Sequence, residues 1–433
     1  MIKSVTVKNF KNYKNLQIDL HSITTLIGMN ASGKSNFKEA FKLLHGIARG
    51  YSLAEVIGEK WGDGGFLQWK GIRGGTKEMI NKYANTDRCS LSVKFSYIKT
   101  TINKNPKKSI NGEYTIEIAI DKTKNYTPKI TKEVLIIDGC GSYVYNTHPH
   151  TEELGSNSDS ITCRCRTKMG QGKNSDIAFR NDTPILTQFL NRDDINESIK
   201  KFVTPFVSLL LHMRFFDLSP DAMRQPSFPG VVTLSDKGEN LSSVIKYICE
   251  KSNEKQALLD WISELTPQDV MDFNFATDNL GKVIVDLIDK NGKSLSAYSA
   301  SDGTLRFLGI VSALFSSDET MLYFFEEIEN GIHPSRIKLL VELFEERCNQ
   351  RGLQIILSSH SPLLLGYLNE EAKKNAYLIY YDDIEKSSNA KSILKLPQIN
   401  NVLQNIDYAE LFASGWFEDS IEFMKTQSED SNE

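Results

Sequence analysis

The stretch that most constrains this chain is Gly28-Met29-Asn30-Ala31-Ser32-Gly33-Lys34-Ser35. An apolar run at 23–27 leads into it, and Phe37, Ala40, Phe41 and Leu44 follow at helical spacing. Strand, glycine-rich loop and helix in that order, with Gly, four residues, then Gly-Lys-Ser, is the pattern of a phosphate-binding loop. Its backbone N–H groups close around phosphate oxygens, and the helix start adds the positive end of its dipole. Lys34 would supply a point charge to the β- and γ-phosphates and Ser35 a hydroxyl to Mg2+. The nucleotide-contacting set is Gly28, Asn30, Ser32, Gly33, Lys34, Ser35 and Asn36. A glycine-rich turn that binds nothing is the plain alternative, and the matching flanks speak against it.

A chain of 433 residues can hold one large domain or two intimately joined ones. The net charge of −4 argues against coating nucleic acid by bulk charge, though it leaves room for a local basic groove. Cys89, Cys140, Cys163, Cys165, Cys249 and Cys348 are scattered, which suits reduced thiols better than a disulfide framework. The start alternates like a strand and lacks the apolar centre of a leader peptide. The apolar stretch 202–218 contains Pro205, His212 and Arg214, so it is no membrane span. The expected location is therefore the cytoplasm, with no membrane partner.

Along the chain, residues 1–88 read as a first lobe carrying the loop, glycine-rich and irregular from 51 onward. Residues 89–182 read as a β-rich insert, with turns at Asn111-Gly112 and Asp138-Gly139, the latter making a hairpin into Tyr143-Val144-Tyr145. Residues 183–270 read as a helical subdomain with helical segments at 195–211 and 241–265. The prolines Pro220, Pro226 and Pro229 make 215–230 a loop. Residues 271–426 return to α/β alternation, with strands at 283–288, 321–325, 353–357 and 377–381, which argues a mostly parallel sheet. The polar, acidic end 427–433 reads as a disordered tail.

A phosphate loop hydrolyses nothing alone. It needs an acid for magnesium and a group that orients water. The run Met321-Leu322-Tyr323-Phe324-Phe325-Glu326-Glu327 offers both at the carboxyl end of a buried strand. Glu326 would hold magnesium, directly or through its water, and Glu327 would polarise the nucleophilic water. Ser301, Asp302, Gly303 and Thr304 precede an apolar helix, an anion-binding geometry that is equally a plain helix cap. His360 follows a strand and precedes Pro362, and beside the two stronger motifs it reads as a contact to the γ-phosphate.

Together Gly28 to Ser35, Ser301 to Thr304, Phe325 through Pro334, and Ser359-His360-Ser361-Pro362 resemble an ABC-type ATPase. More narrowly the set is similar to the RecF/SMC-like branch, and within it to the stand-alone "AAA family ATPases" of bacterial anti-phage and abortive-infection systems. The opening, Ile2 to Phe10, and Phe216 through Arg224 look like that branch too. The resemblance implies a P-loop NTPase of α/β class, an ABC-type ATPase head with a β-rich insert and a helical subdomain. It implies ATP and Mg2+ as ligands, Lys34 and Ser35 as Walker A residues, Glu326 and Glu327 as Walker B residues, and His360 as the switch histidine. It also implies that Ser301 and Gly303 belong to a signature acting in trans, hence an ATP-dependent homodimer. Asp is commoner at the position of Glu326. The glutamine of the Q-loop is not cleanly identifiable, and Gln68 is the candidate by position.

Relatives of this kind are often paired with a separate effector such as a nuclease, and the seventy or so residues after His360 are too few to hold a fused one. The expected function is a sensor ATPase controlling a partner effector in antiviral defence; the alternative is a RecF-like DNA-binding ATPase of repair or recombination. Nucleic acid is a possible partner through a basic run, Lys99, Lys104, Lys107, Lys108, Lys122, Lys124, Lys129 and Lys132, followed by Arg164, Arg166, Lys168 and Lys173. A solvated lysine-rich surface is the simpler reading of it. His148, His150, Cys140, Cys163 and Cys165 could make a zinc site, but alternate cysteines also suit one buried face of a strand.

Overall fold

The computed structural model describes residues 1–99, 108–149, 159–168, 174–251, 254–265, 270–316 and 319–430. It divides into two compact units, and both are discontinuous in sequence. The first comprises Met1–His21, Gly28–Met213 and Tyr377–Ser392; the second comprises Ser22–Ile27, Arg214–Ala376 and Ile393–Glu433.

The first unit is built on an eight-stranded sheet. Its order is Asn174–Arg180, Ser160–Arg166, Tyr145–Asn146, Thr127–Ile137, Lys108–Asp121, Arg88–Lys99, Ile2–Phe10, Tyr13–Asp19. The region read as an insert, 89–182, is thus not self-contained. Its strands extend the sheet begun by the N-terminal hairpin, with Val5 opposite Val93 and Val7 opposite Leu91. The reason lies in the alternation, since each strand has an apolar face needing cover. Helices Ile185–Leu190 and Glu197–Leu211, from the segment read as a helical subdomain, belong to this same unit. The Phe206 ring stacks 4.0 Å from Phe95 and lies 5.4 Å from Tyr114, while Phe189 lies 5.4 Å from Tyr145.

Asn111-Gly112 is strand interior rather than a turn. Gly112 pairs with both Phe95 and Ile137, and a Cβ there would meet the Phe95 ring at 2.3 Å, so the glycine is chosen for space. Asp138-Gly139 does turn the chain, bringing Leu135 opposite Tyr145. Cys163 and Cys165 are both buried, at alternate positions of one strand, and no group of three metal-ligating side chains occurs among the described residues. His150 lies outside them.

One helix of this unit is started from a distance. Pro184 at the head of Ile185–Leu190 offers no side-chain cap. The fully buried Glu133 does so from the strand Thr127–Ile137: Oε2 accepts the Ile185 N–H and Oε1 the Leu186 N–H, both at 2.8 Å. Tyr145 and Tyr114 also donate to Oε1, at 2.9 and 3.1 Å.

In the second unit, strand Ile23–Ile27 lies parallel to Gln354–Ser359, which lies parallel to Leu322–Glu326. Met213–Phe216 is the next neighbour of Leu322–Glu326. All three parallel strands read as apolar runs because they are buried on both faces. Strand Val283–Asp289, expected in this sheet, instead joins a three-stranded antiparallel sheet with Val270–Thr277 and Ser294–Ser296. Short turns at 278–281 and 289–292 make hairpins there, and antiparallel pairing needs no crossover helix.

The proline-rich stretch 215–230 is not loop throughout. Phe215 and Phe216 finish a strand, and Pro220 opens a one-turn helix, Pro220–Met223, where its missing N–H costs nothing. The segment 241–265 is two helices, Leu241–Lys251 and Lys255–Leu265. Helix Trp416–Asp430, anchored by buried Phe417 and Ile421, runs into the stretch read as a disordered tail; 431–433 lie outside the described residues. Among the described residues no helix is long and apolar enough to cross a membrane.

Candidate functional site

The motif residues fall into two sets, one in each unit. In the first unit Gly33, at φ +122°, caps helix Lys34–Ala48. The Lys34 side chain is buried, and its Nζ donates to the carbonyls of Gly28 and Met29 at 2.6 and 2.9 Å. The ammonium therefore rests inside the loop, where an anion's oxygens would compete with those carbonyls. Ser32 is 4 % exposed and its Oγ has no hydrogen-bond partner. A buried hydroxyl left unpaired is destabilising, and a phosphate oxygen would accept its hydrogen bond. The loop's donors thus fit a phosphate. Asn30 is exposed, while Ser35 and Asn36 are half-buried.

Three residues brace this loop that the sequence reading did not single out. Tyr13, fully buried, donates from its hydroxyl to Gly33 O at 2.7 Å, and burial pushes its ionisation far above the usual phenol range. Asn12 accepts from Asn36 Nδ2 at 2.8 Å and donates to Ser388 Oγ. Ser388 in turn donates to Ser32 O, and its N–H to Asn12 O at 2.8 Å. Asn12 and Tyr13 sit in the N-terminal hairpin turn, a local signal. Ser388 lies more than 350 positions from Ser32, where no spacing rule reaches it.

In the second unit Glu326 ends the strand Leu322–Glu326, level with Ser358 of the neighbouring strand. Ile27, after which the chain enters the phosphate loop, is level with Ser359. Glu327 has φ +48°, the left-handed region that residues other than glycine seldom adopt. Its N–H donates to Ser358 O at 2.9 Å, and its Oε2 accepts from Asn330 Nδ2 at 2.6 Å. His360 Nδ1 lies 3.9 Å from Glu327 Oε1 and 3.5 Å from Glu329 Oε1. Both His360 and Glu327 are open to solvent, at 39 % and 44 %, whereas Glu329 is 7 % exposed. Parallel pairing of two neighbouring strands thus delivers two carboxylates and an imidazole to one end of a sheet.

Ser301 caps the helix Asp302–Phe315, accepting the Thr304 N–H at 3.2 Å. Gly303 is wedged against the turn after Glu327: a Cβ there would stand 2.1 Å from Gly331 O. Arg224 donates to Ala300 O at 3.0 Å and to Asp302 Oδ1 at 2.5 Å, tying the Pro220–Met223 turn to the signature. Neither Glu329 nor Arg224 was given a role from sequence, although both lie inside quoted motifs. Gln68 is exposed on a two-stranded hairpin, Glu59–Trp61 with Leu67–Lys70. Of the basic run, Lys122 pairs with Asp87 at 2.6 Å and Arg164 with Asp176 at 2.6 Å; Lys104, Lys107 and Lys173 lie outside the described residues.

A glycine-rich loop on a strand–helix corner, with an α/β architecture of this kind, defines a P-loop ATPase. The AAA ATPase domain family matches residues 1–255, more than half of the chain, and the chain belongs to that family. A second family, described as "AAA domain, putative AbiEii toxin, Type IV TA system", matches residues 167–366. The chain is also similar to an "ATP/GTP phosphatase" of Helicobacter pylori, 23 % identical over 394 residues, covering 87 % of this chain and 90 % of the relative. Among solved structures, an SMC head bound to the C-terminal winged-helix domain of ScpA matches with TM-score 0.45 and 12 % identity over 90 % of this chain and 96 % of that one. The SMC head domain from Thermotoga maritima matches with TM-score 0.40 and 11 % identity over 90 % and 98 %.

Proposed function

We propose that this ATPase is a dimeric switch of ABC type whose two copies close on ATP and open after hydrolysis. The observation that carries the reading is the strained Glu327 beside His360 at the end of the parallel strands. Backbone strain of this kind, of order 1–3 kcal/mol, persists where the surroundings hold a working group in place. Lys34, Ser32 and the loop amides bind the phosphates of ATP. Ser35 and Glu326 would hold Mg2+, which neutralises charge on the transferring phosphate when bound. Glu327 takes a proton from water as the water oxygen bonds to the γ-phosphorus and the bond to the bridging oxygen breaks. His360 contacts the γ-phosphate. Ser301 and the Gly303 amide serve the nucleotide of a second copy, so the closed state is bound more tightly by ATP than the open one.

The matched description, "putative AbiEii toxin, Type IV TA system", supports a defence role; control of a separate effector protein rests on the sequence resemblance alone, and the name of the Helicobacter pylori relative supports nucleotide hydrolysis with GTP as a second substrate. Within the basic run Lys122 and Arg164 are each paired with an aspartate, and no observation favours the DNA-repair reading.

The test is Glu327→Gln. Turnover falls on the order of 10²–10⁴-fold, the usual worth of a general base. ATP binding persists, and light scattering shows a dimer that ATP accumulates and ADP does not. A variant that hydrolyses ATP normally, or stays monomeric with ATP, overturns the reading.

A further inference from the structure

Glu329 is a buried carboxylate whose place is not explained by the roles above. It sits in the turn after Glu327, and its side chain is 7 % exposed. Oε1 accepts the Ser359 hydroxyl at 2.6 Å and the His360 N–H at 3.0 Å. Ser359 Oγ also accepts the Ser361 N–H at 2.9 Å, so one carboxylate oxygen organises the whole 359–361 turn. The same Oε1 lies 3.5 Å from His360 Nδ1, nearer than Glu327. Oε2 is buried and has no hydrogen-bond partner.

That last feature separates two explanations. A brace for a turn needs one acceptor, which a neutral amide or hydroxyl could supply while meeting its own bonding needs. A carboxylate with one oxygen buried and unpaired destabilises the fold, and such exceptions call for a reason. The imidazole, which faces Oε1, supplies one: a charged acceptor holds a ring N–H more firmly than a neutral one, and the unpaired Oε2 is its cost. An acid facing one ring nitrogen fixes the tautomer and the ring plane, leaving the other nitrogen to be presented outward. The same arrangement orients histidines in metal sites, where outer partners are worth 10–100-fold.

We propose that Glu329 is the positioning residue of His360. It holds the backbone on the strand side of the ring and keeps the proton on Nδ1, so that Nε2 is the atom offered to the phosphate. Glu327 remains free for water, because the nearer carboxylate engages the histidine. This inference rests on the reading of His360 as a phosphate contact.

The experiment combines ring spectroscopy with a double-mutant cycle on the full chain. Long-range ¹H–¹⁵N spectra of the histidine rings, with the His360 signal assigned by its loss in His360→Ala, show the Nδ1–H tautomer in the wild type. Glu329→Ala shifts that signal toward the Nε2–H form, and Glu329→Gln, which keeps a neutral acceptor at Oε1, shifts it less. In turnover, Glu329→Ala lowers kcat about 10–100-fold with the KM for ATP within twofold. In a His360→Ala background the same substitution has no further effect. An unchanged ring signal in Glu329→Ala overturns the proposal, as does equal slowing with and without His360. Normal turnover in His360→Ala refutes the phosphate-contact role instead, and the ring spectra then decide Glu329 alone.

Discussion

The buried Glu133 gives the most quantitative prediction. Burial pushes its carboxyl up from 4.5 to about 7, against the pull of the Ile185 and Leu186 amides and the hydroxyls of Tyr145 and Tyr114. An unfolded chain loses this proton near 4.5, while the folded chain keeps it to about 7. The group's contribution is therefore fully present below 4.5 and is lost as pH rises through about 7. At about 1.4 kcal/mol per pH unit, that is a fall of about 3 kcal/mol across the window. Glu133→Gln removes the titration. Its carbonyl can keep the three donors at the Oε1 position, but its NH₂ faces the Ile185 N–H and forfeits that bond, costing about 1–3 kcal/mol. The variant is then less stable than the wild type at pH 4.5, and the gap narrows by about 3 kcal/mol on reaching pH 8. Urea unfolding of both proteins across this range measures the gap, with hydrogen exchange at Ile185 and Leu186 as a local reading. A gap independent of pH would refute the reasoning. A gap that widens with pH would mean that the four donors outweigh burial and the group is ionised throughout.

Gly303→Ala places a methyl 2.1 Å from Gly331 O, so the turn must move at a cost of about 1–3 kcal/mol; thermal melting shows the loss, and turnover falls while ATP binding is retained. Arg224→Ala frees Asp302 and the Ala300 carbonyl, and the ATP-dependent dimer weakens by at least about tenfold in light scattering with the monomer's ATP affinity unchanged. Tyr13→Phe removes the donor to Gly33 O at a cost of about 1–3 kcal/mol, which appears as a lower melting temperature and weaker ATP binding in titration.

What could be read from sequence was whatever is local or periodic. The phosphate loop is eight contiguous residues with fixed conformational demands, and the strand before Glu326 is a plain apolar run. Pairing partners were not legible. Alternation says that Val283–Asp289 is a strand but not that its neighbours are antiparallel hairpins. Gly112 reads as a turn signal until the Phe95 ring beside it is known. The proline-rich stretch misled because Pro220 opens a helix as readily as it ends one. Glu329 escaped notice because an acid in an acidic turn carries no signal until its burial and its histidine neighbour are seen.

The brace on the phosphate loop bears on how the protein is made. Ser388 reaches Asn12 and Ser32 across most of the chain, and Tyr377–Ser392 belongs to the unit that begins at Met1. During synthesis the loop's last support arrives more than 350 residues after Ser32. At ribosomal speeds of about 5–20 residues per second, the nucleotide pocket waits some tens of seconds for completion. Nascent chains stalled before residue 388 should leave the loop accessible to protease, and ATP present during translation should shorten that exposure once the serine is out.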